Sequence, residues 1–249
     1  MIGAVIFDVY GTLLEVGPAP ANADELWKQL WLEEVGSEPS LTRLSFSVAC
    51  NHIIQREHAL ARSRGIPRPE VHWPLVVTEV VPALAKMPPA QQREFFLREI
   101  QTGHSTQLSG ETAEVLRKLK AKGCLLGIAS NAQAYTLEEL GGALAAYDLG
   151  LDLFEPDLCF WSFQHGFSKP DPHVFQILTS RLVARGVGAE QTVMVGDRLD
   201  NDMEPARLFG WQTWHVVSHA SGGWTGLLQM VSNSEAKMQS GMDSGTVSP

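Results

Sequence analysis

Short unbroken apolar runs alternate with stretches of helical periodicity along most of this chain, and that alternation limits the fold more than any other feature. Gln212–Val217 reads as a last strand, and the apolar runs before it are Ala4–Phe7, Cys124–Ala129, Leu158–Trp161 and Thr192–Val195. None alternates with polar residues, as expected of strands covered on both faces. Between and after the later runs, Glu111–Lys122, Ala132–Leu140, Pro172–Arg185 and Asn201–Phe209 space their apolar residues as helices do. Strands alternating with helices imply a parallel α/β sheet with right-handed crossovers.

One segment breaks the rhythm. From Pro18 to about His104 the stretches ADELWKQLWLEEVG, SVACNHIIQREHALARSRG, LVVTEVVPALAKM and PAQQREFFLREIQTG all read as helix, with no strand signal. The first strand precedes this segment and the other strands follow it. The expected organisation is therefore a Rossmann-like α/β core over 1–17 and 105–231, with an α-helical cap over 18–104 inserted after strand one. The stretch 232–249, rich in Ser, Gly and Met and lacking periodicity, is expected to be a disordered tail.

Composition narrows the function classes. The 249 residues carry a net charge of −9, which gives the surface as a whole no electrostatic attraction for nucleic acid or for an anionic membrane. No stretch approaches the ~20 apolar residues that span a bilayer. The N-terminus lacks a basic start, and Asp8 interrupts its apolar run, so no signal peptide is expected. The three cysteines, Cys50, Cys124 and Cys159, are scattered and read as reduced core thiols of a cytoplasmic protein.

Four segments at or just beyond strand ends hold the chemistry. They are Asp8–Leu13 (DVYGTL), Ser130 with Asn131, Lys169 in SKPDP, and Gly196–Asp202 (GDRLDND). The carboxyl ends of parallel strands are where open α/β sheets bind ligands. Asp8 can act as a nucleophile or cap the turn into Gly11. Gly11 and Thr12 can shape a tight turn and donate to an anion. Ser130 and Asn131 are read as the opening of a helix, where a hydroxyl and free N–H groups suit an anion or a simple N-cap. Lys169 precedes Pro170-Asp171-Pro172, a stiff helix start, and can neutralise a phosphoryl group or a carboxylate. Asp8, Asp197 and Asp202 repel one another if they converge, and one lysine is poor compensation; Mg²⁺ relieves this while keeping few protein carboxylates. Asp200 reads as a solvated loop charge, and Asn201 has no assigned role.

These four segments, in this order, resemble the four motifs of the haloacid dehalogenase-like hydrolase superfamily, over about 1–15 and 105–220. The resemblance implies that Asp8 is the nucleophile and that Asp8, the backbone carbonyl of Tyr10, and Asp197 hold Mg²⁺. It places Thr12, Ser130, Asn131 and Lys169 around a phosphoryl group, with Asp202 acting through water or through Lys169. It also makes the helical insert a cap. Tyr10 departs from the phosphatases of the superfamily, most of which carry a second Asp there to protonate the leaving alcohol. The L-2-haloacid dehalogenases carry Tyr in the same DxYGT pattern, need no metal, and show a Ser/Asn-rich segment in place of GDRLDND. Motif one thus resembles a dehalogenase and motif four a magnesium-dependent phosphatase. Motif four weighs more, because a Tyr can sit passively whereas clustered aspartates need a cation.

The expected function is hydrolysis of a small phosphate ester through an aspartyl-phosphate. The alternatives are a metal-independent L-2-haloacid dehalogenase and a weakly active member that binds a phosphorylated ligand. Arg43 in the cap is read as a solvated helix residue rather than a ligand for a substrate carboxylate or halide. His52, His58, Trp27, Trp31 and Trp73 are read as cap packing.

Overall fold

The computed structural model describes residues 1–217 and 223–243. In chain order the elements are β1 (Ala4–Phe7), β2 (Glu15–Gly17), α1 (Ala23–Glu34), α2 (Arg43–Ser63), α3 (Trp73–Val80), α4 (Pro89–Gln101), β3 (Ser105–Gln107), α5 (Gly110–Ala121), β4 (Leu125–Ser130), α6 (Tyr135–Ala145), β5 (Cys159–Trp161), α7 (Ser162–His165), α8 (Pro172–Ala184), β6 (Thr192–Gly196), α9 (Glu204–Leu208), β7 (Gln212–His215) and α10 (Gly223–Asp243). No helix among the described residues is long and apolar enough to cross a membrane.

Five strands form one sheet in the order β5-β4-β1-β6-β7, every neighbouring pair parallel. All four residues of β1 are buried, as the unbroken apolar run requires. The period of two sorts them. Val5 and Phe7 join a core layer with Leu116 and Leu119 of α5, Leu140 and Leu144 of α6 and Leu227 of α10. Ala4 and Ile6 join the opposite layer, with Phe175 and Leu178 of α8 and with Met203, Ala206 and Trp211.

Local signals set the helix ends. Ser109 accepts from Thr112 N–H at 3.1 Å to start α5. Gly123, at φ 77°, then lets Cys124 N–H return to Leu119 O at 3.1 Å and close that helix. Asp171 accepts from His173 N–H at 3.0 Å, and Pro172 occupies the first turn of α8.

The helical insert holds its own apolar cluster of Trp27, Leu30, Trp31, Phe46, Val77, Leu84 and Phe95. Trp27 and Trp31 are cap packing, as read from the sequence, whereas His52 is exposed. The two chain passages between insert and sheet pair as the antiparallel ribbon β2–β3, with Val16 opposite Thr106. These three-residue strands were not expected, being too short and polar to carry a periodic signal. A second seam straps the insert down. Glu70 N–H donates to Gly166 O at 3.0 Å, and Ser168 N–H donates to Arg68 O at 2.9 Å.

Two expectations need correction. Residues 232–243, expected to be without structure, continue α10. Ser234 Oγ accepts from Ile2 N–H at 2.8 Å there, tying the helix to the start of β1. Residues 244–249 of the expected tail lie outside the described residues. The helix expected over Ala132–Leu140 runs instead from Tyr135 to Ala145.

Candidate active site

The order of the sheet brings three of the four segments together, and Asn131 holds the fourth, with Lys169, against them. β1 lies between β4 and β6, with Phe7 level with both Ile128 and Val195. The next residues, Asp8, Ala129–Ser130 and Gly196–Asp197, therefore emerge side by side at the carboxyl edge. Asp8 N–H donates to Val195 O at 2.9 Å, which extends the ladder by one residue and aims the carboxylate out of the sheet.

The turn after Asp8 is tight. Leu14 N–H and Thr12 N–H both donate to Val9 O, at 2.8 and 3.2 Å. Gly11 sits at φ 77°, and a Cβ there would stand 2.8 Å from Asp197 Cγ. Only glycine lets the backbone take that conformation and approach the fourth segment so closely.

Lys169 is buried, and its ammonium donates to Asp8 Oδ1 at 2.9 Å and to Asp202 Oδ1 at 2.5 Å. Asn131 holds this lysine by its main chain. Its Nδ2 donates to Lys169 O at 2.9 Å, and its Oδ1 accepts from Lys169 N–H at 2.7 Å. The other oxygen of Asp202 accepts from Arg198 N–H at 3.1 Å. Both Asp202 oxygens are thus engaged within the protein.

Asp8, Asp197 and Asp202 each offer an oxygen within 4.8 Å of the others'. Three carboxylates face one ammonium. Burial pushes the Asp8 carboxyl up to about 6; Lys169 opposes this and Asp202 adds to it. Burial, reinforced by Asp202, also raises Asp197. Burial disfavours the charged form of Lys169, but the charges of Asp8 and Asp202 outweigh it and hold the ammonium protonated. Asp197 Oδ1, Thr12 Oγ1 and Ser130 Oγ are buried without a hydrogen-bond partner. Polar atoms left like this are costly unless a ligand, ion or water completes them. A hard cation suits an unpartnered carboxylate oxygen beside Asp8. Two hydroxyl donors suit an anion.

Not every sequence-derived residue lands where expected. Ser130 ends β4 and does not cap a helix, since α6 starts only at Tyr135. Its hydroxyl is left unengaged by capping. Asp200 is exposed and pairs with Arg198 at 2.8 Å. Arg43 is partly exposed and reaches Asp24 at 3.5 Å. The hydroxyl of Tyr10 points into the core, donating to Glu139 Oε2 at 2.5 Å and lying 3.0 Å from Thr136 Oγ1. Burial, and then the bond to Glu139, push the phenol well above its ordinary value.

Several neighbours of the site carried no sequence signal. His215, at the end of β7, places Nε2 2.8 Å from Asp197 O. His104 packs edge-on against Tyr10, ring centroids 5.9 Å apart, with Nε2 3.3 Å from Glu139 Oε1. Gln133 bridges to the cap, donating to Glu70 Oε1 at 3.0 Å and to Val71 O at 2.9 Å. These are single polar residues in unremarkable contexts, and only the folded arrangement assembles them.

Comparison with known proteins agrees with this picture. The family model for haloacid dehalogenase-like hydrolases matches residues 2–210. A glyceraldehyde 3-phosphate phosphatase of Methanocaldococcus jannaschii is 32% identical over 106 residues, which are 43% of this chain and 42% of that protein. Among solved structures, a HAD family enzyme of Bacteroides thetaiotaomicron, in complex with magnesium and inorganic phosphate, superposes with TM-score 0.54 at 15% identity, covering 91% of this chain and 99% of that one. An L-2-haloacid dehalogenase superposes with TM-score 0.51 at 22% identity, covering 93% of this chain and 99% of that one. At these identities the superpositions speak for the fold.

Proposed function

Because the chain belongs to the haloacid dehalogenase-like hydrolases, we propose that it is a magnesium-dependent phosphatase acting on a small phosphorylated metabolite through Asp8. One observation carries this choice within the family: three converging carboxylates face a single ammonium, and Asp197 Oδ1 is buried without a partner. A dehalogenase working without metal has no use for that arrangement. The matched phosphatase from Methanocaldococcus jannaschii supports the same reading.

Asp8 attacks phosphorus with the oxygen that Lys169 does not hold. The P–O bond to the leaving group breaks, and an aspartyl-phosphate forms. Thr12 and Ser130 donate their unengaged hydroxyls to the equatorial oxygens, and Lys169 neutralises charge beside them. Asn131 positions Lys169, and Asp202 fixes the ammonium from the far side. Water then attacks phosphorus, releasing inorganic phosphate and restoring Asp8. Mg²⁺ would be held by Asp8, the Tyr10 carbonyl and Asp197, supplying charge neutralisation for the phosphoryl group. The helical insert acts as the cap that closes over the substrate.

A panel of phosphate esters and L-2-haloacids, assayed with and without Mg²⁺, tests the proposal. Phosphate release that needs Mg²⁺ supports it. Halide release that survives EDTA would replace it with the dehalogenase reading, which Tyr10 favours.

A further inference from the structure

Glu70 is a half-buried cap residue with no part in the chemistry above, and both its carboxylate oxygens are engaged. Oε1 accepts from Gln133 Nε2 at 3.0 Å and from Val71 N–H at 2.9 Å. Oε2 accepts from the hydroxyl of Ser162 at 2.6 Å. A contact this short to a carboxylate is among the stronger hydrogen bonds a protein makes. Ser162 is buried and in turn accepts from Ala132 N–H at 2.8 Å. Gln133 adds to the link, donating to Val71 O at 2.9 Å and accepting from Trp73 N–H at 3.0 Å.

The residues so held, Ala132 and Gln133, are the two that follow Asn131. They lie outside any helix, because α6 starts only at Tyr135. The loop that aims the Asn131 amide therefore depends on side-chain bonds, and the carboxylate that anchors them belongs to the cap.

The main chain of the same residue reaches the other loop. Glu70 N–H donates to Gly166 O at 3.0 Å, Pro69 pairs antiparallel with Phe167, and Ser168 N–H donates to Arg68 O at 2.9 Å. Gly166–Ser168 leads directly into Lys169. Glu70 thus clasps, with side chain and backbone, the two loops that meet in the Asn131–Lys169 pair.

We propose that Glu70 is a positioning residue: it holds both loops so that Asn131 grips Lys169, and it makes the placement of the Lys169 ammonium depend on the seating of the cap. The Ser162 hydrogen has a second acceptor, Ala132 O at 3.1 Å. Without the Glu70 carboxylate it turns there, and only the bonds from Gln133 to Val71 and Trp73 still tie the loop to the cap. A displacement of about 1 Å in groups that order a reacting centre costs up to roughly 10²-fold in rate. The effect on turnover rests on the phosphatase reading above; the grip itself does not.

The Lys169 amide reports the grip, because it donates to Asn131 Oδ1 at 2.7 Å. Hydrogen exchange followed by NMR reads it residue by residue. Glu70→Ala should speed exchange at Ala132 and Lys169 by about 10-fold or more and leave Val5–Phe7 of β1 unchanged. In Glu70→Gln the new amide donates to Ser162, whose hydrogen turns to Ala132 O, so the link survives and exchange should stay near that of the wild type. With p-nitrophenyl phosphate and Mg²⁺, kcat in Glu70→Ala should fall by roughly 10-fold to 10²-fold, more than KM rises, and Glu70→Gln should restore most of it. Unchanged exchange at Lys169 in Glu70→Ala would overturn the proposal. Faster exchange there, matched in β1, would reduce Glu70 to a general stabiliser and overturn it too. A rise in KM alone would make Glu70 a substrate contact, and Glu70→Gln as impaired as Glu70→Ala would assign the effect to charge; either result replaces the hydrogen-bonded link. If the wild type cleaves no phosphate ester, the phosphatase reading fails, and the exchange rates alone decide the positioning role.

Discussion

Asn131 grips Lys169 by its backbone on both sides, donating to the carbonyl at 2.9 Å and accepting from the N–H at 2.7 Å. The side chain of Lys169 is thereby left to Asp8 and Asp202, and its position depends on an amide 38 residues earlier. Asn131→Ala removes both bonds and strands two buried main-chain groups. The expected cost is about 2 kcal/mol in stability, with a fall in kcat larger than any rise in KM. Chemical denaturation and steady-state kinetics on the same preparation check this. A stable variant with unchanged kcat would mean that Lys169 is held by other contacts.

Asp8→Asn keeps the shape of the nucleophile but removes its attacking charge, the partner of Lys169, and one proposed magnesium ligand. A folded protein with turnover lowered by at least ~10³ is expected. Circular dichroism establishes the fold and phosphate release the loss. Wild-type turnover would remove Asp8 from the mechanism.

How much of this was legible in the sequence depends on the kind of signal. β1 falls where the pattern puts it, and β4 (Leu125–Ser130) and β6 (Thr192–Gly196) lie within one residue of the expected ends, because burial on both faces leaves little room for polar residues. The nucleophile loop and the aspartates lie at or just past the ends of β1 and β6, so sheet order brings them together, whereas Lys169, eight residues past β5, is fixed there by Asn131. The β2–β3 ribbon was not legible, since strands of three residues, Glu-Val-Gly and Ser-Thr-Gln, are too short to show a period. Ser130 was misread as a helix opening because Asn-Ala-Gln-Ala fits helix composition as well as it fits loop. The residues around Tyr10 were invisible for another reason: Thr136, Glu139 and His104 meet it only through packing between α6 and the end of the cap.

Magnesium should raise Tm, because it relieves repulsion among Asp8, Asp197 and Asp202 in the folded state only. Asp197→Ala should abolish that rise. Thermal melting with and without Mg²⁺ at fixed ionic strength measures both. The same shift in wild type and variant would put the ion at a different site.

Glu99 predicts a pH dependence whose sign follows from burial. Its folded value of about 7 lies above the ordinary 4.5. The neutral acid is thus the form the fold tolerates. Its contribution is fully present below about pH 4.5 and is lost as pH rises through about 7. Glu99→Gln stays neutral throughout. The variant should match the wild type at pH 5 and exceed it at pH 8, by on the order of 3 kcal/mol at most. Urea unfolding at the two pH values reads the difference. A gap of equal size at both would mean that the side chain titrates no differently in the folded protein.

Tyr10 sets the last prediction. Its hydroxyl hydrogen goes to Glu139, 2.5 Å away, and burial holds the phenol well above its ordinary value. It is therefore a poor proton donor to a departing alkoxide. Asn131 is occupied with the Lys169 backbone, and the Lys169 ammonium is held between two carboxylates, so neither offers a ready proton. Esters whose leaving group departs as a stable anion, such as p-nitrophenyl phosphate or an acyl phosphate, should react much faster than alkyl phosphates of similar size. Tyr10→Asp places a carboxyl two residues from the nucleophile. General acid catalysis is worth ~10² to 10⁴ when well placed. The shorter side chain opens a gap next to Glu139 and His104, so a gain of only about 10-fold is expected, confined to alkyl phosphates. The measurement is kcat/KM for both substrate types in both proteins. Equal wild-type rates on the two types would mean that another group supplies the proton. An unchanged profile in Tyr10→Asp, together with haloacid turnover by the wild type, would transfer the site to dehalogenase chemistry, in which a halide leaves without needing one.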